Sequence, residues 1–196
     1  RGQLISSIMK EQYELVKKYV ADPVFGTNLY GETMELYQQG LIELPDNVIM
    51  IWADNGYGKM VSRRQGNHNP RVPALPGKGL GDRRHGVYYH VSFYDLQAAN
   101  VLTMLPNPMG FVKKELGHAY ESGISTLWLV NCSNIKPHVY PLDFAAALWN
   151  SLETEPEKHL EQYISRYYGD RSLKEMKECF MEYFEAALPY GEKEDE

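Results

Sequence analysis

The chain is poor in cysteine, with Cys132 and Cys179 the only two among 196 residues. Their spacing matches no metal-ligand pattern, so no metal site is expected, and two buried free thiols are expected rather than a disulfide. No apolar run approaches the roughly 20 residues that a spanning helix needs, so no membrane partner is expected. No signal peptide is visible, because Lys10 and Glu11 interrupt the first apolar residues. Also absent are a GxGxxG after a strand, a phosphate loop with Gly-Lys-Ser, an HExxH pair and a nucleophile elbow. Nothing therefore points to a nucleotide cofactor, a zinc protease or a serine hydrolase of those types. Gly77-Lys78-Gly79-Leu80-Gly81 is glycine-rich, but it follows prolines instead of a strand and reads as a loop. The chain opens Arg1-Gly2-Gln3 without an initiator Met, which suggests an internal piece of a larger protein.

What is present is an ordinary globular composition, 43% hydrophobic and 23% charged, with a formal net charge of -6. The charge is uneven. Between Lys59 and His85 lie seven Lys and Arg residues against one acid, Asp82, whereas the end of the chain from Glu153 is acidic. An acidic protein with one basic loop is not expected to bind nucleic acid. Such a loop suits a carboxylate or phosphate group on a smaller ligand. Tyr, Trp and Phe make up 12% of the chain. Their faces can stack on sugars, although core packing accounts for them equally well, above all in the C-terminal helices.

Periodicity orders the chain. Ile5, Ile8, Met9, Val16, Tyr19 and Val20 recur at helical steps, and Asp22-Pro23 and Gly26 break the pattern. A second helix is expected from about 31 to 39, closed by Gly40. The run 48–53 is continuously apolar, as in a strand buried on both faces of a parallel sheet, and it ends abruptly in Asp54-Asn55-Gly56-Tyr57-Gly58. A long Gly/Pro/Arg-rich loop to about Gly86 follows. Strands are expected at 87–92 and 126–131, with a helix between them that starts at Asn107-Pro108, Asn107 acting as cap. The sequon Asn131-Cys132-Ser133 follows a run expected to be buried. After Pro141 the character becomes helical. A short helix is expected at 144–149. Thr154/Glu157 and Ser172/Glu175 are expected to form capping boxes at the start of two amphipathic helices. The alternation implies an α/β fold with parallel strands. Three strands are too few to close an eight-stranded barrel, which also points to an incomplete piece.

In α/β sheets and barrels, active sites gather at the carboxyl ends of the strands. That rule selects Asp54, Asn55 and Tyr57 after the first strand, His90 and Ser92 after the second, and Asn131 and Asn134 after the third. Asp54 is the best single candidate, since a carboxylate directly after an apolar strand is costly unless hydrogen-bonded or paired. A structural Asp capping the next turn is the even alternative. Gly56 and Gly58 allow tight turns beside it. His90 is either a site residue or a satisfied core histidine, and Asn131 either orients a ligand hydroxyl or satisfies a loop. Arg63 and Arg64 either pair with a ligand carboxylate or belong to a solvated basic loop.

At these residues the chain resembles glycoside hydrolase family 115, the xylan α-1,2-glucuronidases. The segments 43–48, 52–58 (Trp-Ala-Asp-Asn-Gly-Tyr-Gly), 86–92 (Gly-Val-Tyr-Tyr-His-Val-Ser), 127–131 and 135–137 carry the resemblance. Order and rough spacing match from about Val24 to about Trp149, with a weaker continuation to about Pro189. The resemblance implies part of a (β/α)8 TIM-type barrel over residues 1–150 and the start of an α-helical bundle over 151–196. It implies an inverting glycosidase without metal or other cofactor, releasing (4-O-methyl)glucuronic acid side groups from glucuronoxylan or a related uronic-acid-bearing oligosaccharide. A homodimer of the full-length protein is compatible with it; the compartment is left open. By resemblance Asp54 falls on a family carboxylate implicated in catalysis; the strand-end and basic-loop residues Asn55, Tyr57, Arg63, Arg64, Tyr89, His90 and Asn131 are expected in substrate binding. The sequence also departs from the family. Asn55 and Gly56 stand where a second carboxylate and an Asn usually follow, and the loop 59–86 is long. Tyr94-Asp95-Leu96-Gln97 replaces a Gly/Pro-containing stretch, and Lys113-Lys114-Glu115 falls on a Trp-Glu pair. The second catalytic carboxylate is then Asp95, Glu115 or a residue outside this chain. A non-catalytic carbohydrate-binding relative, or a piece inactive alone, is the alternative.

Overall fold

The structure is a computed structural model that describes residues 1–62, 72–77, 83–92 and 104–187. The described chain forms two compact units. The first comprises Arg1–Asn55, Met60–Tyr89 and Ala119–Leu129; the second comprises Gly56–Lys59, His90–His118 and Val130–Glu196.

The first unit is built on a sheet. Its elements are α1 (Gly2–Lys17), β1 (Phe25–Leu29), α2 (Glu32–Gln38), β2 (Val48–Ala53), β3 (His85–His90) and β4 (Leu127–Asn131). The last residue of β3 and the last two of β4 fall in the second unit. The strands lie in chain order, β1-β2-β3-β4. β1 pairs with β2, and β2 with β3, in parallel. β4 runs the same way as β3: the Thr126 N–H bonds the His85 carbonyl near their starts, and the Val91 N–H bonds the Asn131 carbonyl near their ends. The α/β fold with a parallel sheet is thus the observed one. All six residues of β2 are buried, as its unbroken apolar run predicts. β1 and β4, at the two edges of the sheet, are only half-buried. The expectation that the run before Cys132 is buried fails for that reason.

β1 is the strand missing from the sequence reading. Gly26 is not a breaker but a packing glycine. Paired with Ile49, it leaves room for the Ile51 side chain, whose Cδ1 would lie 3.0 Å from a Cβ at that position. β3 begins earlier than 87, at His85 and Gly86. A Cβ on Gly86 would meet the Leu127 carbonyl oxygen at 2.9 Å, so only glycine lets the two backbones approach there. The register sets Met50 opposite His85 and Trp52 opposite Val87, on one face of the sheet. Tyr37 of α2 packs edge-on against Trp52 on that face. α1 is less buried than its stripe predicts: Tyr19 and Val20 lie beyond its end and are exposed, and Gly2 alone in the helix is fully covered. The long loop is not structureless where it is described. Val61 and Pro73 form an antiparallel bridge, and Met60 and Ala74 are buried.

The second unit is largely helical, with α3 (Met109–Glu121, shared with the first unit), α4 (Val139–Asn150), α5 (Pro156–Tyr168) and α6 (Leu173–Glu185). α4 is longer than expected. Pro141 does not end the preceding segment but sits in the first turn of the helix, where its missing N–H is not needed. Tyr140 gathers the C-terminal helices: its ring lies 5.0 Å from Tyr163, 5.2 Å from Phe180 and 5.8 Å from His159. The helix starts were placed well, but the capping boxes do not form. Neither Glu155 before α5 nor Ser172 before α6 makes a side-chain cap bond. The Thr154 hydroxyl instead donates to the carbonyls of Ala147 and Ser151, closing the turn after α4. The cysteines are unlinked, as expected, but not buried; Cys132 is half-buried and Cys179 exposed. Among the described residues no helix is long and apolar enough to cross a membrane.

Candidate active site

In the first unit, Asp54 and Asn55 leave the end of β2 directly from its buried run. Both are buried, Asp54 with no exposed surface at all. The Asp54 N–H donates to the Tyr88 carbonyl at 3.2 Å, one step past the last β2 residue. Tyr89, also buried, is the next residue on β3. A carboxylate in this position is kept out of bulk water by the same apolar strand that delivers it.

The same unit holds a buried contact that the sequence does not announce. The Trp52 Nε1–H donates to His85 Nδ1 at 3.1 Å in the buried interior. Burial, and secondarily the Arg83 guanidinium, holds the His85 imidazole below its usual range. Arg83, counted above with the basic loop, is structural: it donates to the Leu44 carbonyl and pairs with Asp46 at 3.0 Å.

In the second unit the chain turns sharply after the residues that follow β2. Gly56 and Gly58 have φ of 93° and 83°, left-handed values that glycine alone adopts without strain. Tyr57, between them, is half-buried. Its carbonyl accepts from the Asn107 side chain at 2.6 Å. The carboxyl ends of β3 and β4 meet in this unit. His90 is buried, and the Val91 N–H next to it bonds the carbonyl of Asn131, itself half-buried. The fully buried Ser92 hydroxyl and that of Ser133 are 2.5 Å apart. Asn134 is exposed, and its carbonyl is taken by His138 Nδ1 at 2.6 Å.

The fold thus brings Asp54 beside Tyr89 in one unit, and His90 beside Asn131 in the other. Arg63, Arg64 and Asp95 lie outside the described residues. Glu115 is buried in α3. The Asn107 side-chain N–H reaches Tyr57, fifty residues away, and no local pattern announces that bond. Burial pushes the Cys132 thiol up, so it does not offer an activated thiolate. Among the described residues no cluster of three or more His, Cys, Asp or Glu could hold a metal ion.

Residues 1–190 match the family model of glycosyl hydrolase family 115. Among solved structures, the chain is similar to one described as a novel family GH115 4-O-methyl-α-glucuronidase, BtGH115A, with specificity for decorated arabinogalactans. The superposition has a TM-score of 0.78 at 22% identity and covers 94% of this chain and 24% of that one. At that identity the likeness is one of fold. This chain spans 24% of the length of the protein it superposes on. No curated protein sequence matches it.

Proposed function

Because the chain belongs to glycosyl hydrolase family 115, we propose that it forms the later part of a (β/α)8 barrel and the start of a helical bundle in an α-glucuronidase. The enzyme releases (4-O-methyl)glucuronic acid side groups by inverting hydrolysis. The observation that carries the reading is Asp54, wholly buried at the carboxyl end of a buried parallel strand, where barrels keep their chemistry. Strands in plain chain order, without the reversal that marks doubly wound sheets, support the barrel. We assign residues 1–150 to the barrel domain and 151–196 to the bundle; the succession of α5 and α6 with no strand between them supports this reading.

In this mechanism Asp54 is the acid or the base. A second carboxylate, Asp95, Glu115 or one outside this chain, completes an inverting pair about 6.5–9.5 Å apart with a water between. Asn55, Tyr57, Tyr89, His90 and Asn131 orient the sugar hydroxyls, and Arg63 or Arg64 forks onto the uronate carboxylate. The substrate is glucuronoxylan or another polymer bearing the same uronate. The structurally similar enzyme is specific for decorated arabinogalactans, so both polymers belong in the test.

The test is to incubate the full-length protein with each polymer and follow the released uronate by NMR. Release of the β-anomer first supports inversion of an α-linkage. The α-anomer first would remove the inverting mechanism, and binding without turnover on both polymers would favour a carbohydrate-binding relative that lost a carboxylate, as Asn55 and Gly56 suggest.

A further inference from the structure

We infer that Asn107 is a positioning residue that locks the Gly56–Gly58 turn through the carbonyl of Tyr57. Its catalytic consequence rests on the reading of Asp54 given above. The bond is short, 2.6 Å, and joins residues fifty positions apart. Asn107 is buried, so its amide is shielded from water, and loss of the donor removes the bond.

The donor is held on both sides. Upstream, the Tyr183 hydroxyl of α6 donates to the Met104 carbonyl, and Leu105 is buried. Downstream, α3 starts at Met109, with the Phe111 and Val112 N–H groups both bonding the Pro108 carbonyl. Asn107 therefore sits on a short segment clamped between α6 and α3. The acceptor, by contrast, lies between two left-handed glycines, the residues with the most conformational freedom to lose. A bond from a donor held on both sides restricts the conformations open to this turn. Tyr57 is three residues from Asp54, so only three peptide links separate the locked carbonyl from the carboxylate. An Asn is required in chemical terms. An ionised Asp of the same shape would face the carbonyl with an acceptor, and an Ala would offer nothing.

The test uses the full-length protein with Asn107→Ala and Asn107→Asp, read by hydrogen exchange of the amides at 55–59 and by uronate release across pH. Asn107→Ala is expected to speed exchange at 55–59 by about 10-fold or more, with the rest of α3 to α6 unchanged. It should lower kcat by about 10-fold or more while KM stays within about 3-fold, because orientation and not ground-state binding is lost. Asn107→Asp is expected to match it at neutral pH and to recover as the carboxyl takes up a proton and can donate. Unchanged exchange at 55–59 in both variants overturns the clamp, as does exchange that rises equally throughout α3 to α6. Local loosening with unchanged kcat overturns the catalytic consequence. If the wild-type protein releases no uronate, the proposed function fails, and exchange at 55–59 alone decides whether the clamp exists.

Discussion

The indole Nε1–H of Trp52 points at Nδ1 of His85 across 3.1 Å, linking the penultimate residue of β2 to the first residue of β3 inside the protein. The bond requires a lone pair on Nδ1, so His85 is held in its neutral form, in agreement with the downward shift that burial and Arg83 impose. The pair ties β2 to the start of β3 within the first unit.

That linkage makes stability depend on pH in a stated direction. The folded-state value of His85 lies below its unfolded value of about 6.5, so the unfolded chain binds more protons in that window. The contribution is complete above about 6.5 and is lost as pH falls through the folded value. His85→Gln keeps an acceptor for Trp52 but does not titrate. Melting temperatures between neutral and mildly acidic pH should therefore fall more steeply for the wild type than for His85→Gln; parallel curves would rule His85 out as the cause.

Replacement of Asp54 by Asn in the full-length protein keeps the side chain's shape but removes its proton chemistry. Uronate release should fall by about 10²–10⁴-fold, the range general acid–base groups contribute. Substrate affinity, measured directly by calorimetry, should change little. A variant turning over near the wild-type rate would take Asp54 out of the mechanism.

Gly58→Ala places a Cβ at φ 83°, which costs an L-residue roughly 1–2 kcal/mol. Urea titration should show destabilisation of that order, and Gly56→Ala, at φ 93°, should behave alike. Midpoints equal to wild type would mean that the turn relaxes to another conformation.

Gly86→Ala drives a Cβ to within 2.9 Å of the Leu127 carbonyl oxygen and 3.2 Å of its Cβ. Neither neighbour is a flexible side-chain tip, so β4 must shift from β3, at a cost typical of overpacking, about 1–3 kcal/mol. The loss should appear as a lowered denaturation midpoint. A neutral result would show that β4, half-exposed at the sheet edge, moves freely.

The sequence alone determined the order of most elements, because each announces itself locally. The unbroken apolar run from Val48 to Ala53 announced a strand covered on both faces, which is what β2 is. The helical steps of α5 and the paired glycines at 56 and 58 were legible for the same reason: their signal is a spacing or a residue type within one turn. The tertiary structure alone decided what depends on partners far along the chain. Gly26 reads as a breaker until Ile51 lies over it, the bond from Asn107 to Tyr57 fifty residues away has no local signal, and Thr154 reads as a capping residue until the Ala147 carbonyl claims its hydroxyl. A polar side chain bonds whichever complementary group the fold brings nearest. Periodicity records which face of an element is buried, and it carries no information about which residue will be waiting there.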